Sequence, residues 1–514
     1  MKDRTWELVF LIGIAPLPPR PAFRLEHALG LVGSAAALAA WAYYLRAGLV
    51  LSHYDSKAHL VVARRLVDNI TPGWQQIGAV WLPLPHLINA LPAQSDFLYR
   101  TGAFASAVSV VCLGVACWAA ARLVIRLTGS VPGAVTATAL LASNPNLLYL
   151  HATPMTEPLL IAATLVCVLW LYEWVTSDRD EIPTRLGWAL FATAWTRYEA
   201  WPILAVAIAL TAYASGRPRN SVGTAVRDAV RLSLWPATAI VAFVVVSRIT
   251  VGSWFVTSGF YVPDPLYERQ LAKTLLGVWW GTHQLSGYVS EIIAVCAAAT
   301  VLVMAVRTAG ASAAVPAALF AAASLPAFAF YSGHPYRIRY MIPLVAACAL
   351  WGGLAVGILG RRIRIAGSTL VTVLLLSILF ESPPWKAHPP MVDEAEWDRP
   401  DASGRRTVTA CLAADYHGEK VLASMGSLAH YMQELSNNGF QLADFINEGN
   451  GMIWTAVLEA GPAPHAGWML VEEQAEGGDV LAERIRADAA FARGMQRICE
   501  GGGVALYRRV KTGT

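Results

Sequence analysis

The sequence predicts a polytopic α-helical membrane protein with a soluble α/β domain at its C-terminal end. Three observations predict it. Apolar runs of about 17–25 residues, the length that crosses a bilayer, recur between residues 28 and 381. Only 14% of the 514 residues are charged against 56% hydrophobic, with a mean hydropathy of +0.46, whereas soluble domains carry about 25% charged residues. From residue 383 the composition turns to that of a soluble protein. The net charge of +4 is small, and no basic stripe interleaved with aromatics occurs, so nucleic acid is not expected as a partner.

Residues 1–27 read as a cytoplasmic or interfacial segment, because the apolar part from Trp6 to Ala15 is too short to span and no cleavage site follows it. About eleven spans are predicted, near 28–51, 100–121, 131–150, 157–176, 186–197, 200–215, 232–250, 285–306, 312–331, 341–359 and 365–381. The loops holding Lys2, Arg4, Arg20 and Arg24, then Arg122 and Arg126, Arg179 and Arg185, Arg217 to Arg231, Arg307, and Arg361 to Arg364 alternate with them. Positive charge marks these as cytoplasmic. The first extracytoplasmic loop is then 52–98, followed by 151–156, the break at Arg197, 251–284 and 332–340. With an odd number of spans, residues 383–514 are expected outside as well.

Within the first loop, residues 56–70 place Ala58, Val61, Val62, Leu66 and Ile70 on one face and Lys57, His59, Arg64, Arg65 and Asp68 on the other. This suits a helix lying along the membrane surface. Pro72-Gly73 stops it. Beyond the linker Ser382–Pro390, the segments Val421–Met425 and Gly467–Glu472 read as strands. Ser427–Leu435 and Asp479–Phe491 read as helices capped by Ser427 and Asp479. Gly501-Gly502-Gly503 reads as a hairpin turn, since it lacks the spacing of a phosphate loop. Cys411 and Cys499 are able to pair if this region is extracytoplasmic, although spacing alone leaves the pairing open.

Four groups carry candidate chemistry. Asp55 follows the first span. A carboxylate partly withdrawn from water accepts a proton more readily, the plain alternative being a helix cap. Glu157 opens an apolar helix with Pro158 behind it, where it complements the helix dipole or binds a polar ligand. Arg197, Tyr198 and Glu199 interrupt an apolar stretch, which is costly unless the charges pair or line a wet cavity. His334, Arg337, Arg339 and Tyr340 set positive charge on the side where the trend disfavours it, and guanidinium forks match phosphate oxygens. His53, His59 and His86 are further candidates. A divalent metal held by them with Asp55 is considered and set aside, since histidines at an interface have ordinary roles, so no cofactor is assigned.

In their order and common side, these residues resemble the GT-C superfamily of polyprenyl-phosphate-sugar-dependent glycosyltransferases, in particular family 39, the protein O-mannosyltransferase and aminoarabinose-transferase type. Tyr54-Asp55-Ser56 matches an acidic residue after the first span, and 56–70 matches a surface helix. Glu157, Arg197-Tyr198-Glu199 and Arg339-Tyr340-Met341-Ile342-Pro343 resemble later elements of the pattern, over residues 28–381. The loop carries Ser56 where family members often have a second acid, and the C-terminal domain is not a β-trefoil. The resemblance implies a membrane glycosyltransferase that moves a sugar from a polyprenyl-phosphate donor to a protein or glycolipid hydroxyl, with inversion and with Asp55 as general base. Glu157, Arg197, Tyr198, Glu199, His334, Arg337, Arg339 and Tyr340 would bind substrate. The alternatives are a transporter or flippase of lipid-linked sugars, which predicts repeat symmetry that is not seen, and a membrane-anchored binding subunit, for which so many spans are more than an anchor needs.

Overall fold

The computed structural model describes residues 23–177, 181–217, 221–255, 263–307, 310–475 and 477–510. Residues 1–22 of the expected interfacial segment lie outside these, as do Arg179 and Arg219 of the positively charged loops. Among the described residues, seven helices are long and apolar enough to cross a membrane: Leu25–Arg46, Ala103–Thr128, Glu157–Val175, Val222–Thr250, Tyr288–Ala305, Ala311–Tyr331 and Ile338–Arg362. Three shorter apolar helices accompany them, Val131–Ser143, Ala200–Gly216 and Arg364–Phe380. The run near 186–197 forms an 11-residue helix, Thr184–Ala194.

Small residues set the packing at the centre. Ile342–Arg362 is buried along most of its length, and a Cβ added at Gly353 would meet Gly133 O at 2.5 Å. Backbone contact of this kind is how helices associate in lipid, where apolar burial gives little drive. The run 131–150 breaks at Asn144, whose side chain accepts from Asn146 N and Leu147 N at 3.0 and 3.1 Å and restarts the chain as Pro145–Leu150. The run 312–331 is wound first as a 3-10 helix, Ala311–Ala323, and then as an α-helix, Ser324–Tyr331.

Two loop expectations are corrected. Residues 251–284 contain a helix, Leu271–Ser286, that buries Thr274, Gly277, Val278, Gly281, Thr282 and Leu285 and exposes Leu271, Leu275, Leu276, Trp279 and Trp280. Its C-terminal carbonyl at Leu285 receives the amides of Asn144 and Asn146 at 2.7 and 3.1 Å, which answers the orphan acceptors of a helix end. The helix expected over 56–70 along the membrane surface is Tyr54–Arg64, ending well before Pro72, and its Asp55, His59 and Arg64 are buried. The C-terminal domain covers it. Lys57 reaches Glu434 at 2.5 Å, and Asp68 accepts from Leu442 N and Ala443 N at 3.1 and 2.9 Å. Asn69 and Gln76 bond to Asn450 and Gly449 at 2.7 and 2.8 Å.

The C-terminal domain holds one sheet in the order β2-β1-β3-β5-β4, with β1 Val421–Ala423, β2 Phe445–Ile446, β3 Trp468–Glu472, β4 Met495–Gly501 and β5 Val504–Arg509. β1 runs parallel to β2 and β3, and β5 runs antiparallel to β3 and β4. Gly502 and Gly503 turn between β4 and β5 with φ of +58 and +76 degrees, the left-handed pair that a tight hairpin needs. Asp479 caps Val480–Ala487 by accepting from Ala482 N at 2.9 Å. Ser427 is not a cap, because the helix already begins at Met425; its hydroxyl donates to Asp479 at 2.5 Å. Cys411 and Cys499 form a disulfide.

Candidate functional site

Four chain breaks meet at one end of the bundle. The first is the start of Tyr54–Arg64, where His53 stands as N-cap and its Nδ1 accepts from Asp55 N at 3.1 Å. The second is the start of Glu157–Val175, the third the break at Arg197–Glu199, and the fourth the short 3-10 turn Ile338–Met341. Each puts a charged side chain at a helix end, where backbone groups and water otherwise satisfy it.

Arg339 is the hub. Its side chain is 8% exposed, and its Nη2 pairs with Asp55 Oδ2. Its Nη1 lies 2.8 Å from His53 Nε2 and 3.6 Å from Glu394 Oε1, and its Nε lies 3.9 Å from Glu157 Oε1. Arg197 extends the cluster. It reaches Glu157 at 3.0 Å, Glu199 at 2.7 Å and the Thr156 hydroxyl at 2.8 Å. Asp55, Glu157, Arg197, Glu199 and Arg339, dispersed along the sequence, thus share one buried network.

Glu394 is the member that sequence reasoning missed. It sits on Pro390–Glu396, a short helix in what reads as linker. Met391 N bonds to Asn146 at 3.1 Å and Ser52 Oγ bonds to Ala395 O at 3.1 Å, so this helix is fastened to the bundle. The available signal is the buried apolar set Met391, Val392 and Ala395 just after the prolines. Burial raises the Glu394 pKa, but the His53 hydrogen bond and the Arg339 charge outweigh it and hold the carboxyl down at about 2.

The hydrogen-bond pattern assigns the imidazole protons. Nδ1 of His53 accepts the Asp55 amide, so its proton is on Nε2, and its acceptor is Glu394 Oε1 at 3.3 Å. Arg339 Nη1 lies 2.8 Å from the same His53 Nε2. His86 Nδ1 donates to Leu82 O at 3.1 Å, which leaves its Nε2 to accept from His59 Nδ1 at 3.1 Å. Burial drives both imidazoles toward the neutral form, His86 down to about 3 and His59 well below its ordinary value, where its neighbour His86 adds to the effect. His59 and His86 border a cleft with Asn89, Ser109, Met155 and Thr156.

The remaining candidates sit around this network. Tyr340 donates to His334 Nε2 at 3.2 Å, since His334 Nδ1 is engaged with Pro335 O at 2.8 Å. Tyr198 turns its hydroxyl to Ala79 O at 3.4 Å. The charge of Arg337 reaches both Tyr54 and Glu394. His59 and His86 meet each other, while His53 joins Arg339 and Glu394, and among the described residues no group of three or more His, Cys, Asp or Glu is disposed to hold a metal ion.

No protein-family model matches the chain, and no curated protein matches it. Fold and site together define a class, a helical membrane protein whose small C-terminal sheet domain closes over a buried acid and guanidinium cluster.

Proposed function

We propose that this protein is a membrane glycosyltransferase that moves a sugar from a polyprenyl-phosphate donor to a hydroxyl of a protein or glycolipid acceptor. The observation that carries the reading is the direct pairing of Asp55 with Arg339, joined through Glu157 to Arg197. A base and a phosphate-matching cation must stand side by side for such a transfer. Asp55 takes the proton of the acceptor hydroxyl as its oxygen attacks the anomeric carbon. The bond from that carbon to the phosphate oxygen breaks, and its electron pair leaves with the lipid phosphate. Arg339, with Arg337, Arg197 and His334 near it, offsets the charge growing there. A single displacement inverts the anomeric centre.

On this reading the chain crosses a bacterial inner membrane about eleven times, and the site opens on the extracytoplasmic face with residues 383–514. The Cys411–Cys499 disulfide favours that side, because cytoplasmic thiols are kept reduced. The test is mass spectrometry of glycolipids and secreted proteins from cells carrying the wild type, Asp55→Asn, or no copy of the gene. A general base contributes about 10²–10⁴-fold, so the sugar-bearing product should vanish in Asp55→Asn as it does without the gene. A full product level in Asp55→Asn, at wild-type protein abundance, refutes the assignment.

A further inference from the structure

A cluster that receives a lipid phosphate ought to carry an excess of positive charge. This one does not. Asp55, Glu157, Glu199 and Glu394 surround Arg197 and Arg339, so carboxylates outnumber guanidinium groups in direct contact. Arg339 is also imperfectly served. Its Nε is buried without a hydrogen-bond partner. A buried donor left in that condition is costly, and an incoming acceptor with several oxygens would relieve it.

Glu394 occupies the place such an acceptor would take. Its Oε1 lies 3.3 Å from His53 Nε2 and 3.6 Å from Arg339 Nη1, within the field of Arg337. It arrives on a helix of 7 residues that follows the proline-rich stretch Ser382–Pro390, and it is not part of the bundle helices that frame the cluster. Asp55 differs in being locked at the start of its helix by the His53 cap.

The geometry points to His53 and Arg339 as a phosphate cradle that the chain fills with its own Glu394 carboxylate until a lipid phosphate displaces it. This rests on the donor class proposed above. A self-occupied site binds its ligand more weakly by the fraction of time it is vacant. Neutralising Glu394 therefore strengthens phosphate binding, whereas a Glu394 that merely braced Arg339 would weaken it on removal.

The experiment uses the purified full chain in detergent and undecaprenyl phosphate as probe, with native mass spectrometry as readout and undecaprenol as the phosphate-free control. Glu394→Gln keeps the shape and still accepts from His53. It should bind undecaprenyl phosphate about tenfold more tightly and undecaprenol no differently. Glu394→Asp, which withdraws the charge by one methylene, should give a smaller gain, and it supplies the answer if the amide variant does not fold. Unchanged or weakened phosphate binding in these variants overturns the inference while leaving the donor class standing. Equal binding of undecaprenol and undecaprenyl phosphate by the wild type removes the donor class itself, and this inference with it.

Discussion

Arg405 offers the sharpest test of how the C-terminal domain is held over the site. It is 1% exposed. It bonds Asp398 at 2.8 and 2.6 Å, and Glu434 at 3.0 and 3.1 Å. Glu434 in turn holds Lys57 on the helix that begins with Tyr54 and Asp55. Arg405→Met keeps the apolar stem and removes the charge. Breaking one partner of a buried ion pair costs about 3–5 kcal/mol, because the opposite charge is stranded. Side-chain exposures of 12% for Asp398 and 23% for Glu434 let water in part way, and Glu434 keeps Lys57, so the lower end applies, about 3 kcal/mol or roughly 150-fold. Hydrogen exchange of the full chain, followed over Met425–Leu435, reads this as a rise in local opening. The sign with pH is also fixed. Burial raises the Glu434 pKa, but Lys57 and Arg405 pull it down to about 2, below its unfolded value of 4.5. Its contribution is therefore present above about pH 4.5 and lost as pH falls toward 2. Without Arg405 the folded value moves back toward 4.5, so the loss should be smaller and complete at a higher pH. A rise in opening below tenfold, or an acid limb that does not move, would show that desolvation cancels the pairing and that the reasoning fails.

Two further predictions concern the same domain. Replacing Cys411 with Ser opens a loop whose ends are separated by 88 residues, which the chain-entropy estimate values at about 4–5 kcal/mol; limited proteolysis should cut residues 399–510 much faster, and reductant should have the same effect on the wild type. Gly404→Ala places a Cβ 2.0 Å from Gly502 N and 2.6 Å from Gly501 C. Backbone cannot give way as a flexible side chain does, so a cost of about 1–3 kcal/mol or more is expected, seen as lost amide protection along Val504–Arg509.

The apolar runs were legible because lipid demands length and composition that any stretch of sequence displays locally. The acids and guanidinium groups were legible one at a time for a related reason: charges at span ends and breaks call for partners. Which partner each one has was not. Lys57 and Arg64 look solvated on a helical wheel, yet Glu434 and Gln441 meet them from 377 residues away. A local pattern cannot tell water from a distant domain. The helix Leu271–Ser286 escaped notice because its sides are reversed: the buried one is made of small and hydroxyl residues and the exposed one of Leu and Trp. Glu394 was hidden by the prolines before it and by the shortness of its helix.

The fastening of the Tyr54 helix by Glu434 also dictates an order of events at birth. The stretch from Lys57 to Glu434, a separation of 377 residues, takes roughly 20–75 s to synthesise at ordinary ribosomal speed. Throughout that interval the half of the site that leaves the ribosome first must wait uncovered, its ionised groups without their roof. A nonsense or frameshift lesion anywhere ahead of the final strands would therefore not trim an accessory lobe; it would strand a nearly finished protein with its charged cluster uncovered, a natural target for quality-control proteases.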